Sequence, residues 1–148
     1  KIEHALTKGF VQPHERDPFD IRDRVFGPNM YTVVDAYVKP LTRQAGNMSW
    51  ALLRHPAGLE GGLFITHGWA EGVFEFVGKV LSSWPMGAGG AWCCIFANPH
   101  NLDISELISD PLRSSFAVAL RSCSKVMVVP NRHVSIYTRI WCVYEAYL

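Results

Sequence analysis

The sequence predicts an α/β fold, an open parallel sheet with flanking helices, preceded by an N-terminal extension. Two observations carry this. From Gly62 onward short apolar runs alternate with segments of helical period, the strand and helix succession that builds a parallel sheet through right-handed crossovers. The first run, "GLFITH", is continuously apolar where a half-solvated strand would alternate, as expected of a strand covered on both faces. The chain has 148 residues, the size of one ordinary domain. We divide it into an extension, residues 1–58, and an α/β unit, residues 59–148.

The first thirty or so residues are charged and broken by Pro13, Pro18, Gly27 and Pro28, which reads as an extension lying along the surface. In "MYTVVDAYVKPLTRQ" the residues Tyr31, Val34, Tyr37, Val38 and Leu41 recur at helical spacing and predict a docking helix, ended or kinked at Pro40. "SWALLRH" is expected as a short strand, and "PAGLEGG" as a turn-rich connector. After "GLFITH", the segment "AEGVFEFVGKVLSSW" places Val73, Phe74, Val77, Val80, Leu81 and Trp84 on one stripe. Glu75 and Lys79 are then expected to face solvent as an i,i+4 pair. "GAGG" is a turn, since it lacks the Lys-Ser/Thr of a phosphate loop.

"AWCCIF" is expected as the second strand. "SDPLRSSFAVALRSC" follows as a helix capped by Ser109 or Asp110 ahead of Pro111, with Leu112, Phe116, Ala119, Leu120 and Cys123 on one face. "KVMVV" is expected as a third buried strand, and Ser135 as the N-cap of a third helix holding "IYTRIWCVYEAYL". Leu148 is neither Gly nor Asn and no basic residue follows Arg139. The segment is therefore expected to end inside that helix, ahead of the fold's later strands.

Composition narrows the function. Hydrophobic residues make up 49%, charged residues 18%, and the net charge is +1, so no basic stripe suits nucleic acid. No apolar run reaches a bilayer span and the start is no secretory signal, so no membrane contact is expected. Cys93, Cys94, Cys123 and Cys142 show neither paired C-x-x-C spacing nor scaffold density, which predicts reduced thiols in a cytoplasmic protein.

Ligands of open α/β sheets bind past the carboxyl ends of the strands. Those positions hold Thr66, His67, Gly68 and Trp69, then Asn98 to Asn101, then Pro130, Asn131, Arg132 and His133. His67 and His100 with Cys94 or Asp103 lack a tight ligand spacing, so no metal site is expected. Cys94 or Cys142 with His67 or His100 would make a thiol nucleophile and its base, a thiol-dependent hydrolase. Glu145, one helical turn after Trp141 in an apolar segment, needs a partner or a purpose if buried. A helix-edge Glu paired with Arg139 or open to water is the structural alternative.

Two segments resemble Toll/interleukin-1 receptor (TIR) domains. "GGLFITHGW" is similar to the family's opening strand, with Phe64 matching its Phe and Thr66 standing where Ser is usual. "KVMVVPNRHVSIYTRIWCVYE" is similar to its third strand and following helix, ending in W-C-x-x-E. Trp141, Cys142 and Glu145 match that motif, and Tyr137 fits its upstream Tyr. The resemblance covers about residues 61–148. It implies a flavodoxin-like architecture and an NAD glycohydrolase in signalling or defence, with Glu145 as the catalytic carboxylate. Thr66, His67, Trp69, Trp141 and Tyr137 would line the substrate site, and NAD would be substrate, with no cofactor. It equally implies the family's other role, non-catalytic self-association or pairing with other TIR domains.

Overall fold

A computed structural model describes residues 1–103, 105, 109–132 and 134–147, with Trp141 described by its backbone alone. His133, Leu148 and the Trp141 side chain, named above, lie outside the described residues. The sheet is three-stranded and all parallel, with order β2-β1-β3: β1 is Leu63–His67, β2 is Ala91–Cys93 and β3 is Lys125–Val129. Central β1 is buried along its whole length because it alone has a strand on each side. Register sets Leu63 opposite Ala91 and Lys125, and His67 opposite Val129.

Helices flank this sheet. α1 is Ile2–Thr7, α2 Met30–Val33, α3 Lys39–Gln44, α4 Trp50–Arg54, α5 Val73–Ser82, α6 Cys94–Ala97, α7 Ser115–Ser122 and α8 Ile140–Tyr147. One core joins α2, β1, α5 and β3 through Met30, Val33, Leu63, Ile65, Phe76 and Val129. The extension and the α/β unit therefore share their main hydrophobic cluster. A second cluster packs Phe64, Cys94, Phe116 and Ala119, with Phe64 stacked on Trp92 at 4.9 Å and 10°.

Several elements differ from the sequence-based expectation. Trp50–Arg54 is helix where a strand was expected: Ser49 caps it by accepting from the Leu52 amide at 3.3 Å, and Ala, Leu and Arg are good helix formers with no β-branched neighbour. Of the two outcomes expected at Pro40, an end or a kink, the end does not occur: helix continues through it. A π-helical turn, Val34–Val38, precedes α3, and Pro40 takes an early position of that new segment, where its missing N–H has no helical partner to lose. β2 stops at Cys93 and the chain turns into α6, since an edge strand has a ladder on one side only. Asp110 caps a 3-10 turn, Pro111–Arg113, while Ser114 caps α7; Ser135 likewise caps a 3-10 turn, Ile136–Thr138, ahead of α8.

Two faces also turn out otherwise. Glu75 is buried, not solvent-facing, and reaches both Lys79 at 2.8 Å and Arg132 at 3.7 Å, because the loop after β3 folds over α5. Lys79 also donates to the Pro130 carbonyl. Leu81 and Trp84, expected in the core stripe, are exposed. β3 is not buried throughout: Val126 and Val128 are 55% and 52% exposed. Register sets them beside Phe64 and Thr66, on the sheet face that α7 and α8 cover over β1 but leave open at β3.

The extension holds the loop after β1. Phe26 and Pro28 carbonyls accept from the Phe74 and Val73 amides, and the Met30 amide donates to the Trp69 carbonyl. The first N–H groups of α5, orphaned as at any helix start, are thus satisfied by the extension. Only glycine allows the approach, since a Cβ on Gly72 would stand 2.2 Å from the Phe26 oxygen.

Candidate functional site

The carboxyl end of β1 gathers most of the residues singled out in the sequence. Thr66 is buried there, facing α8, from which Cys142 donates to the His67 carbonyl at 3.4 Å. That contact sets the helix against the strand end and brings Glu145, one turn further on, beside Thr66. Glu145 is half-buried. Burial pushes its carboxyl above the ordinary carboxylate value, opposed by the Thr66 hydroxyl and by the charges of Arg139 and His67. The hydroxyl is near enough to act, yet completes no hydrogen bond of ordinary length and angle with Oε2.

Arg139 closes the other side. It donates to the His67 carbonyl at 3.3 Å and lies 5.1 Å from the centre of the Trp69 ring, a cation–π distance. Trp69 also meets Tyr31 at 5.3 Å and His100 at 5.4 Å. Together with Tyr31, His100, Val34, Lys39 and Leu102 it lines a cavity of roughly 330 Å³. Tyr137, in the turn before α8, is 61% exposed. The carboxylate, the guanidinium and the indole thus share one strand end, whereas Tyr137 makes no contact with them among the interactions of the described residues.

His67 points elsewhere. Its ring is 2% exposed, packs on Phe76 at 4.7 Å and is held at both nitrogens, by Glu71 Oε1 at 2.7 Å and by Cys94 Sγ at 3.6 Å. Trp69 donates its indole N–H to the same sulfur at 3.3 Å. Glu71 and the role of Arg139 were not anticipated. The signal for Glu71 was its place in "HGWAEG", an acid four residues after a strand-end His and just ahead of the glycine that opens α5. Among the described residues no group of three His, Cys, Asp or Glu is arranged to hold a metal ion, and no helix is long and apolar enough to cross a membrane.

No protein-family model, no curated protein and no solved structure matches this chain. The geometry of its own residues therefore carries the functional argument.

Proposed function

We propose that this chain is a TIR-like NAD glycohydrolase acting in signalling or defence, with Glu145 as its catalytic carboxylate. One observation carries the reading: a half-buried carboxylate with raised pKa faces Thr66 at the carboxyl end of the central strand. The order β2-β1-β3 is how a flavodoxin-like sheet begins, and in such sheets ligands bind where the order reverses, between β1 and β3. Glu145 follows β3 in the chain and sits against β1. The W-C-x-x-E run that resembles the family motif is the one that delivers it there.

The chemistry asks little more of the protein. Nicotinamide leaves NAD with the electrons of its glycosidic bond, becoming neutral, so no acid is needed. Positive charge then develops on the ribose, and water completes the hydrolysis to ADP-ribose with release of a proton. A carboxylate that burial disfavours gains most when that charge appears, an interaction stronger in the transition state than with substrate. Carboxylates serve oxocarbenium-like centres in glycoside hydrolysis in the same way. Thr66 and Trp69 would meet the ribose and a ring; a base stacking on the face of Trp69 that Arg139 covers would displace the guanidinium. Among the described residues the cysteines are free, which suits a reducing cytoplasm.

The test is nicotinamide release from NAD by concentrated protein beside its Glu145→Gln variant. Release that falls by about a hundredfold or more in a folded variant supports the reading, the scale of losing one transition-state charge contact. Equal release by both, or none from the folded wild type, overturns it.

A second reading, a homotypic assembly module pairing with itself or other TIR domains, is favoured by the open row on β3. Val126 and Val128, with Ile140 at 76% and Tyr147 at 83% exposure, leave apolar surface that self-association would cover. Under this reading Val128→Glu lowers the mass seen by light scattering at high concentration; a monomer at every concentration refutes it.

A further inference from the structure

Cys94, His67 and Glu71 form a chain of polar contacts that the glycohydrolase reading does not use. Cys94 Sγ lies 3.6 Å from His67 Nε2, and His67 Nδ1 lies 2.7 Å from Glu71 Oε1. The three are 5%, 2% and 0% exposed. Glu71 keeps its second oxygen without a hydrogen-bond partner among the described residues. Burying an acid and an imidazole together is costly unless they serve one another. Thiol, base and orienting carboxylate in line is the arrangement that activates a cysteine. Trp69 adds a donor to the sulfur at 3.3 Å, which favours its charged form.

We propose that Cys94 is a modification site, a thiol poised by His67 and Glu71 for oxidation by hydrogen peroxide to the sulfenic acid. Size selects the class of oxidant. Cys94 is enclosed by Phe64, Phe116 and Ala119 and roofed by Trp69, so an acyl or peptide chain has no approach. A peroxide is little larger than water, and Trp69, which covers the sulfur, is also a wall of the roughly 330 Å³ cavity shared with Tyr31 and His100. The thiolate attacks one peroxide oxygen, forming an S–O bond as the O–O bond breaks. Sulfur loses two electrons, the peroxide gains them, and the departing hydroxide takes the proton of the His67 imidazolium to leave as water.

Electrostatics agrees with the geometry. Burial raises the Cys94 thiol, but the contacts with His67 and Trp69 outweigh it and the pKa falls. Burial lowers the His67 imidazole, but Cys93, Cys94 and Glu71 outweigh it and the pKa rises. Cys93, Cys123 and Cys142 are all raised, chiefly by burial. Reactivity follows the thiolate, and the contacts of the Cys94 sulfur with the His67 ring at 3.6 Å and the Trp69 indole N–H at 3.3 Å distinguish it from its neighbours.

The experiment exposes the native full chain to hydrogen peroxide with dimedone present and maps the adduct by peptide mass. Cys94 is expected to be trapped faster than Cys93, Cys123 or Cys142, because the thiolate is the reacting form, although Cys123 is the more open to solvent. His67→Asn and Glu71→Gln should each slow trapping and remove the thiolate's ultraviolet absorption. Faster trapping at Cys123 in the wild type overturns the proposal, and so does wild-type trapping in folded His67→Asn and Glu71→Gln. Should either variant fail to fold, the comparison among the four cysteines of the wild type decides alone.

Discussion

Replacing Glu145 by Gln should stabilise the fold while abolishing turnover. The carboxyl is held above its ordinary value of 4.5 mainly by burial, so the folded state binds a proton more tightly than the unfolded chain. For a group raised in this way, the favourable contribution to stability is complete below pH 4.5 and is lost as pH rises through the folded value. At neutral pH the folded protein therefore carries a desolvated charge that glutamine lacks. Leaving a buried polar group unsatisfied costs about 1–3 kcal/mol. Glu145 is half-buried and partly screened by water, so the lower end applies, about 1 kcal/mol. In a chain of this size that is a rise in Tm of about 2–4 °C. Thermal unfolding of both proteins from pH 4 to 8 tests it, with Glu71 contributing the same sign to both. The difference between them should vanish at the acid end and grow toward neutrality. A variant that is less stable at pH 7, or a gap that widens toward acid, refutes the placement of Glu145 in a desolvated site.

Other outcomes follow from packing. Phe64→Ala removes a fully buried ring stacked on Trp92 and should lower the unfolding free energy in urea by about 3–5 kcal/mol; a loss under about 1 kcal/mol would mean that this sheet face is not core. Gly72→Ala forces a methyl against the Phe26 carbonyl, and should cost about 1–3 kcal/mol and speed hydrogen exchange at the Val73 and Phe74 amides; unchanged exchange there would show that the extension does not cap α5. Ser49→Ala removes the cap of α4 and should cost about 1 kcal/mol, whereas a neutral result would mean the segment does not depend on that helix start.

The sequence by itself determined what is set by local chemistry and period. Continuous apolar character made "GLFITH" a buried strand, and the alternation of runs made the sheet parallel. The position of Glu145 one turn after Cys142 put a carboxylate on an apolar helix. Tertiary structure decided whatever depends on partners distant in the chain. Ser49 turned a short apolar stretch into helix, since a few apolar residues fit either period until a cap is paired. The loop after β3, whose Arg132 reaches Glu75 from 57 positions along the chain, covers that acid, reversing a reading based on helical spacing alone. Val126 and Val128 are exposed because burial of a strand depends on which helices cross its face, and α7 and α8 cross β1. His67 and Cys94 could be nominated from residue type, among several pairs. Their meeting, with Glu71 behind them, required β2 to end at Cys93 beside β1 and the extension to pin the loop carrying Trp69 and Glu71. A period of two or 3.6 residues specifies a face, whereas a site is a distance between faces, which only the folded chain defines.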